Sequence, residues 1–410
     1  MNQMNILFIS WDGPQVTYLE SLFLPIFARL ATLGVQFHVL QFTWGDAQRI
    51  ALTRQACEQL GVGYQAVPIW RRPRAIGAML SALTGARHVK KAVSAHNIDV
   101  VMPRSTLPAL ATLLALRDAP CPIVFDADGL PLDERIDFAG ASPSGLAHRF
   151  LRDIEAEMVR RADRVLIRSQ RAVEILVARG GAGTAPEKFH VVGNGRDVDK
   201  FSRGEEASRC GIRNALGIDP LAPLLVYAGS LGEQYCINEM LRLFETVKHR
   251  RPDARLLILS GSPEVALAAL SAWPGLSAAT VVKAVPGDEV PRYLACADLG
   301  LALRRPSFSM QAVAPIKIGE YLLCGLPVVA TKGIGDTNAI GTDTGFLVDR
   351  MDDDEIMRVG EWFCGSVLQD REGFSNRCRT IGLEFFSLEA STDAYLLAFR
   401  AIATRQSVHN

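Results

Sequence analysis

The sequence predicts an α/β protein of two Rossmann-like βαβ domains in tandem, each a parallel sheet covered by helices on both faces. Short apolar runs bounded by polar or turn-forming residues alternate with amphipathic helical segments, which is the pattern of such sheets. The alternation starts afresh near residue 222. At 410 residues the chain also exceeds one ordinary hydrophobic core, so two domains are expected.

The first series of elements begins with the apolar run 5–10, which we interpret as a strand. A loop at 11–15 leads into an amphipathic helix, which Gly34 ends before a second strand at 35–42. Further predicted strands of this half are 99–103, 122–125, 164–169 and 189–192.

The second series begins with a strand at 224–229 and a helix at 237–250. Its other predicted strands are 255–259, 280–283, 299–303 and 327–331. The polar stretch between the two series is typical of a linker. We therefore predict a first domain at 1–201, a hinge at 202–221, a second domain at 222–381, and a final amphipathic helix at 382–404 that could pack back on the first domain.

Composition excludes several classes of protein. The 44 basic and 44 acidic residues cancel, so no nucleic-acid partner is expected. The eight cysteines are scattered without a CxxC pair or metal-ligand spacing, which is typical of a reduced, cytoplasmic chain. Since the N-terminus has no basic n-region and no apolar stretch approaches 18 residues, we expect neither a signal peptide nor a membrane span.

Four stretches follow the order found in one enzyme family. Residues 315–329 have the pattern Pro-x-Lys-x-x-Glu-Tyr-x-x-x-Gly-x-Pro-Val-Val, and residues 194–201 have Asn-Gly-x-Asp-x-x-x-Phe. Residues 227–231 are similar to the strand and glycine loop that open the donor domain, and 125–135 to an N-domain loop that faces the cleft. The chain thus resembles the retaining GT-B glycosyltransferases of the family-four type, glycosyl transferases group 1.

The resemblance implies a GT-B fold, in which two Rossmann-like domains face each other across a cleft. It implies transfer of a sugar from a nucleotide diphosphate-sugar, held by the C-terminal half, to a glycan or lipid-linked acceptor in bacterial-type polysaccharide or glycoconjugate synthesis. No cofactor is expected beyond that donor substrate. No metal is expected either, because the Asp126/Asp128 pair lies in the acceptor half.

The donor site is predicted around Lys317 and Glu320. Three residues apart on a helix, their side chains project from one face. Lys317 is predicted to neutralise the pyrophosphate beside a helix N-terminus, and the resemblance assigns the ribose hydroxyls to Glu320. An amphipathic helix that shows both side chains to solvent is the structural alternative.

Two positions of the glycine loop depart from the family. Gly229 can admit phosphate oxygens without a Cβ in the way, but Ser230 stands where an Arg is frequent, and Tyr235 where a phosphate-binding Lys is frequent. Positive charge must then come from elsewhere, and Arg304, after the strand at 299–303, is the predicted substitute. A solvated strand end is its alternative role.

A second departure affects the donor sugar. Ala312 stands where the family often has a Glu eight residues before Glu320, which leaves Ser309 as a nearby polar candidate. Val285 follows a strand where such folds recognise the base. Gly335 and Asp336 follow another strand and suit sugar or phosphate contacts, although all three positions also suit ordinary turns or a helix cap.

The first half supplies the predicted acceptor side. Gly13 follows the first strand and could let a phosphate or sugar approach closely. Asp126 and Asp128 end a later strand; Asp128 could act as base on the acceptor hydroxyl, or cap the turn at Gly129. Arg104 is placed similarly and could meet an acceptor phosphate.

Basic residues flank an apolar helix at 70–91, which suits peripheral contact with an anionic membrane or a solvated face. Two other functions stay open at this stage. One is a nucleotide-sugar epimerase or hydrolase on the same architecture, and the other is a catalytically degenerate nucleotide- or glycan-binding protein, which the departures at Ser230, Tyr235 and Ala312 would favour.

Overall fold

A computed structural model describes residues 3–70, 72, 74–117, 121–337 and 340–409. The chain forms two compact units, one comprising the residues up to Gly193 together with those from Ser391 onward, and the other Asn194–Ala390. Each unit carries parallel strands with helices between them, as predicted. The α/β class is therefore confirmed.

The first unit contains the strands β1 (Met4–Asp12), β2 (Val35–Thr43), β3 (Gly63–Pro68), β4 (Val100–Pro103), β5 (Val124–Asp126), β6 (Arg164–Ile167) and β7 (Phe189–Val191). They pair in the orders β3-β2-β1-β4 and β5-β6-β7. Parallel bridges Val101↔Ile123 and Arg104↔Asp126 continue β4 into β5, so the strands follow one order, β3-β2-β1-β4-β5-β6-β7. The direction of winding reverses between β1 and β4.

The helices of the first unit are α1 (Leu24–Thr32), α2 (Ala47–Gln59), α3 (Arg74–Ala95), α4 (Thr106–Ala115), α5 (Pro131–Ala139), α6 (Leu146–Arg161) and α7 (Gln170–Gly180). A π-helix, Leu19–Phe23, leads directly into α1. Aromatic rings fix α1 on the sheet: Phe27 stacks on Phe37 of β2 with ring centroids 3.8 Å apart, and meets Phe8 of β1 edge-on at 5.1 Å.

The second unit contains β8 (Leu224–Ala228), β9 (Arg255–Leu259), β10 (Thr280–Lys283), β11 (Leu299–Ala302), β12 (Val328–Thr331) and β13 (Gly345–Val348). Its sheet has the order β10-β9-β8-β11-β12-β13, with the reversal between β8 and β11. Buried side chains form a core cluster on each face, one including Phe244 and Phe363 and the other Tyr321 and Leu322.

The helices of the second unit are α8 (Glu206–Ala215), α9 (Ile237–Arg250), α10 (Pro263–Leu270), α11 (Pro274–Ser277), α12 (Val290–Leu294), α13 (Ile316–Leu323), α14 (Asp353–Trp362) and α15 (Arg371–Phe386); α16 (Leu388–His409) starts here and from Ser391 belongs to the first unit. The single helix predicted at 382–404 is therefore two. Ser387 has extended backbone, and its hydroxyl accepts the N–H of Ala390, which caps the new helix.

Two further differences from the sequence-based elements have physical reasons. The predicted hinge at 202–221 contains α8, whose Arg213 is fully buried and donates to Asp298 at 2.8 Å and to the carbonyl oxygens of Cys296 and Ala222. Its polar composition reflects this buried ion pair rather than a free linker. The edge strands β3 and β13 were not predicted, because neither is a continuous buried run.

Candidate functional site

In the second unit, functional side chains gather where the winding of the sheet reverses. Gly229 follows β8, Arg304 lies just beyond β11, Thr331 ends β12, and α13 places Lys317 in its first turn. Ligands of open α/β sheets bind at the carboxyl ends of the strands beside such a reversal. The predicted Lys317 and Arg304 are thus brought to the expected edge of the sheet.

Lys317 lies among tyrosine rings rather than in open solvent. Its ammonium donates to the hydroxyl of Tyr227 at 3.1 Å and lies 4.7 Å and 4.1 Å from the ring centroids of Tyr227 and Tyr235. Gly229 makes this position possible, because a Cβ there would lie 2.4 Å from Lys317 Cε. The lysine side chain therefore fills the space at Gly229 through which a phosphate was predicted to approach.

The charge of Lys317 is strongly affected by its surroundings. Burial, and to a lesser extent the neighbouring Arg304, lower the pKa of this ammonium to about 7, against the opposing effect of Glu320. Within the described ranges, no carboxylate lies within ion-pair distance of Lys317. A partly buried cation of this kind can receive a negatively charged group of a ligand.

Arg304 reaches the same tyrosine. Its guanidinium carbon lies 5.0 Å from the Tyr235 ring centroid, and Nη2 donates to the Tyr235 hydroxyl at 3.4 Å. The backbone of Arg304 is fixed by Thr331, whose hydroxyl accepts its N–H and donates to its carbonyl, both at 2.9 Å. Tyr235, which the sequence showed only as a missing lysine, therefore contacts both cations of the site.

Glu320 lies one turn further along α13 and has a partner that the sequence did not reveal. Its Oε1 accepts from Nε of Arg196 at 2.9 Å, and both side chains are mostly buried. The backbone of Arg196 is held by the chain between α15 and α16, donating to Phe386 O at 2.9 Å and accepting from Leu388 N at 2.8 Å. Burial raises the pKa of Glu320, and Arg196 opposes that shift.

The loops around α13 are packed against one another. A Cβ on Gly335 would lie 1.8 Å from the carbonyl oxygen of Val313, and Gly335 N donates to Met310 O at 2.9 Å. Ser309 is 1% exposed, with its hydroxyl 3.2 Å from that of Ser307. Asn194, the first residue of the motif at 194–201, donates to Ala314 O at 2.9 Å. Gly335 and Ser309 therefore shape the loop rather than face a ligand.

The remaining predicted donor residues lie at the edge of this cluster. Asp336 and Ser230 are exposed, and the carbonyl of Ser230 accepts from the hydroxyl of Tyr227. Val285 follows β10, the edge strand, and packs partly against the core. Their predicted contacts with donor stay predictions.

The first unit has a cavity at its own reversal, between the carboxyl ends of β1 and β4. It measures about 560 Å³, within the range of roughly 300–1,000 Å³ typical of small-molecule sites. Its lining residues are Trp11, Asp12, Val16, Tyr18, Trp44, Ile69, Trp70, Ala78, Arg104, Ser105, Thr106, Leu107, Pro108, Asp128, Pro131, Leu132, Arg135 and Leu151. Three of the chain's five tryptophans are among them.

A buried ion cluster forms the floor of this region. Asp126 is fully buried and accepts from Nη1 of Arg104 at 3.1 Å and from Nη2 of Arg168 at 2.9 Å. Arg104 also donates to Asp128 through Nη2. Asp126 and Arg104 are thus engaged within the protein, and their predicted contacts with an acceptor stay predictions. Arg168 was missed, since only the fold brings it to Asp126.

Two residues here have strained backbones. Ser105 has φ of 68° and Asp128 has φ of 54°, in the region that favours glycine. Such strain persists where surrounding contacts hold it, often at functional sites. Asp128 lines the cavity with its side chain 35% exposed, and burial raises its pKa against the opposing effect of Arg104. It is the carboxylate of the cluster that a ligand can reach.

Gly13 has a different role from the one predicted. It is buried, and a Cβ there would lie 2.5 Å from Cζ2 of Trp44. The glycine therefore makes room for the tryptophan ring, not for a phosphate or sugar. Asp12, beside it, accepts from the Ser10 hydroxyl at 2.6 Å and from the Gln41 side-chain amide at 3.1 Å.

The predicted membrane-contact segment at 70–91 is described only in part. Arg71 and Pro73 lie outside the described residues, and most of the rest forms α3. Membrane contact through this segment stays a prediction. In the part of the chain that the structure describes, no helix has the length and hydropathy needed to span a bilayer.

Comparisons with known proteins agree with this geometry. The family model described as "Glycosyl transferase 4-like domain" matches residues 21–195, and "Glycosyl transferases group 1" matches 222–359. A D-inositol 3-phosphate glycosyltransferase of Rhodococcus jostii is 25% identical over 298 residues, which are 68% of this chain and 61% of that relative. The chain thus spans less than two thirds of that relative's length.

Solved structures share the fold. A glycosyltransferase from Rickettsia africae superimposes with a TM-score of 0.75 at 15% identity, covering 98% of this chain and 99% of the other. Anabaena Alr3699/HepE in complex with UDP and glucose gives 0.72 at 17% identity, covering 97% and 100%. The fold is GT-B, with two Rossmann-like domains, and the two halves of the chain belong to the glycosyl transferase 4-like and glycosyl transferases group 1 families.

Proposed function

We propose that the protein is a glycosyltransferase that binds a nucleotide diphosphate-sugar in the second unit and transfers its sugar to a glycan or lipid-linked acceptor bound by the first. The observation that carries this proposal is the convergence of Lys317 and Arg304 on Tyr235 at the reversal of the second sheet. The solved relative Alr3699/HepE, a complex with UDP and glucose, supports the choice of donor class.

In such a reaction, most of the negative charge that the site must stabilise develops on the leaving nucleotide diphosphate. Lys317 and Arg304 would stabilise the negative charge that develops on it, and the N-terminus of α13 would add backbone N–H groups. Because Lys317 and Arg304 supply positive charge at this edge, we propose a metal-independent transfer, with retention at the anomeric carbon following the family resemblance. Glu320, positioned by Arg196, would accept the ribose hydroxyls.

Asp128 is proposed to act as the base that takes the proton of the acceptor hydroxyl. It is the partly exposed carboxylate of the ion cluster, and its raised pKa suits a group that takes a proton. The eight cysteines are free thiols, which supports a reducing compartment, and we place the reaction in the cytoplasm.

A thermal-shift screen of nucleoside diphosphates and nucleotide-sugars tests the donor assignment, since a ligand raises apparent stability by mass action. The best ligand should stabilise the wild type and the Lys248→Ala control, whose half-buried lysine lies in the last turn of α9 and donates to Pro252 O. It should stabilise Lys317→Ala and Glu320→Ala much less. Equal stabilisation of all four proteins would show that the donor binds elsewhere.

Product analysis separates transfer from the two other functions. An epimerase or hydrolase converts the donor sugar without an acceptor, whereas a degenerate binder yields no product with any donor. A transferase yields a glycosylated acceptor together with free nucleoside diphosphate, and little turnover when the acceptor is omitted.

A further inference from the structure

The cavity of the first unit is lined by large aromatic side chains, two of which are exposed to solvent. Trp11, Trp44, Trp70 and Tyr18 all line it. Trp70 is 57% exposed and Tyr18 is 48% exposed. Clusters of large apolar rings on the surface of a folded unit mark binding sites.

These rings belong to a supported platform. Trp11 stacks on Phe42 with ring centroids 5.2 Å apart and an interplanar angle of 18°. The ring of Trp44 packs against the backbone of Gly13, which has no side chain to keep the ring away. The backbone N–H of Trp70 donates to the Ser81 hydroxyl at 2.8 Å. A platform fixed before binding loses little conformational entropy when a ligand arrives.

The described lining of the cavity carries equal numbers of acidic and basic side chains. Its lining includes the carboxylates of Asp12 and Asp128 and the guanidinium groups of Arg104 and Arg135. Arg104 is neutralised through both terminal nitrogens, by Asp126 and by Asp128. Among the lining residues that the structure describes, Arg135, on α5 and exposed to solvent, is the other cation. The described lining therefore offers hydrogen-bond acceptors and aromatic faces, and no concentrated positive charge.

This combination suits one kind of molecule. A sugar ring has a C–H face that packs on an aromatic ring, and hydroxyl groups that donate to carboxylates. A phosphorylated acceptor would instead need uncompensated cations in the cavity. We infer that the cavity binds the uncharged terminal sugar residues of the acceptor, stacked on the tryptophans, with hydroxyls toward Asp12 and Asp128. This inference rests on the proposed function, whose acceptor class it narrows to neutral saccharides.

Intrinsic tryptophan fluorescence of the full chain tests the inference, because three of five tryptophans line the cavity. The probes are methyl glycosides of lactose, cellobiose, maltose and N-acetyllactosamine, with myo-inositol phosphate as the anionic counterpart and phosphatidylcholine vesicles as the lipid counterpart. At least one neutral saccharide should give a saturable change with Kd of about 1 mM or tighter. Trp44→Ala and the surface variant Trp70→Ala should each weaken it at least about tenfold, and Trp273→Phe, in the second unit, should not.

The outcomes separate this inference from the donor assignment. If a nucleoside diphosphate stabilises the chain but no neutral saccharide gives a saturable signal, the saccharide class is wrong and the proposed function stands. Tighter binding of myo-inositol phosphate, or a response to vesicles alone, also overturns the inference. Saccharide binding that survives both Trp44→Ala and Trp70→Ala places the saccharide elsewhere.

Discussion

At the carboxyl edge of the second sheet, cations point toward one another across a tyrosine, whereas at the same edge of the first sheet the cations are neutralised by aspartates. Within the described residues, Lys317 has no carboxylate at ion-pair distance, while Arg104 donates to two. The same βαβ geometry thus supplies one edge with free positive charge and the other with balanced charge and aromatic surface. The difference teaches that two similar folds in one chain can present different chemistry, which is why we propose a nucleoside diphosphate at the second edge and an uncharged saccharide at the first.

The largest expected effect concerns stability of the first unit. Asp126→Ala removes the shared partner of Arg104 and Arg168 and leaves a buried guanidinium unpaired. We expect the free energy of unfolding to fall by about 3–5 kcal/mol. Denaturant unfolding measures it, with Glu157→Ala as the control, since the exposed Glu157–Arg160 pair should contribute no more than about 1 kcal/mol. Equal losses in both variants would mean that the buried cluster is not specially stabilising.

The next effect concerns turnover at the second edge. Lys317→Ala removes a cation that would stabilise the leaving diphosphate, so kcat should fall about 10²–10³-fold. The variant should also be more stable than the wild type by roughly 1 kcal/mol, because a partly buried ammonium without a carboxylate is costly. Steady-state kinetics tests the effect on kcat, and thermal unfolding tests the effect on stability. Unchanged kcat, or a clear loss of stability, would make Lys317 a structural residue.

Gly229 allows a matched comparison within one loop. Gly229→Ala places a Cβ within 2.4 Å of Lys317 Cε and strains a backbone with φ of 142°, so Lys317 must move and affinity for the nucleoside diphosphate should drop about tenfold or more. Gly232→Ala has no neighbouring atom within 4 Å and should bind normally. Isothermal titration measures the affinity of both variants for the nucleoside diphosphate. Similar affinities would show that Gly229 does not affect binding through Lys317.

The smallest effect is a pH dependence with a defined sign. Lys317 is protonated below its pKa of about 7 and loses its charge above it, so affinity for the diphosphate should decline as pH rises past neutrality, by at most about tenfold per pH unit. Lys317→Arg keeps its charge throughout and should flatten the profile. Identical profiles for the two proteins between pH 6 and about 9 would contradict this role.

Some of this organisation is visible in the sequence and some is not. Apolar runs such as Leu224–Ala228 are local signals, and they predicted the buried central strands of both units. The spacing of Lys317 and Glu320 likewise predicted that both would lie on one helix. The domain boundaries, and the roles assigned to the site residues, stay predictions.

What the sequence could not show depends on contacts between distant positions. Arg196 and Glu320 are 124 residues apart, and Arg168 lies 42 residues from Asp126. No local pattern announces such pairs, because the fold alone brings them together. Tyr235 illustrates the same limit. The sequence shows it only as a tyrosine where the family frequently has a lysine, whereas in the structure its ring contacts both Lys317 and Arg304.

The central claim is that Lys317 contacts the diphosphate of the donor, and a coupling measurement tests it most directly. Calorimetric titration of the best nucleoside diphosphate and of its phosphate-free nucleoside, each against wild type and Lys317→Ala, isolates the contribution of the phosphates. We predict that the variant loses about 2 kcal/mol of binding free energy for the diphosphate and almost none for the nucleoside. Equal losses for both ligands, or no loss for either, would contradict the assignment.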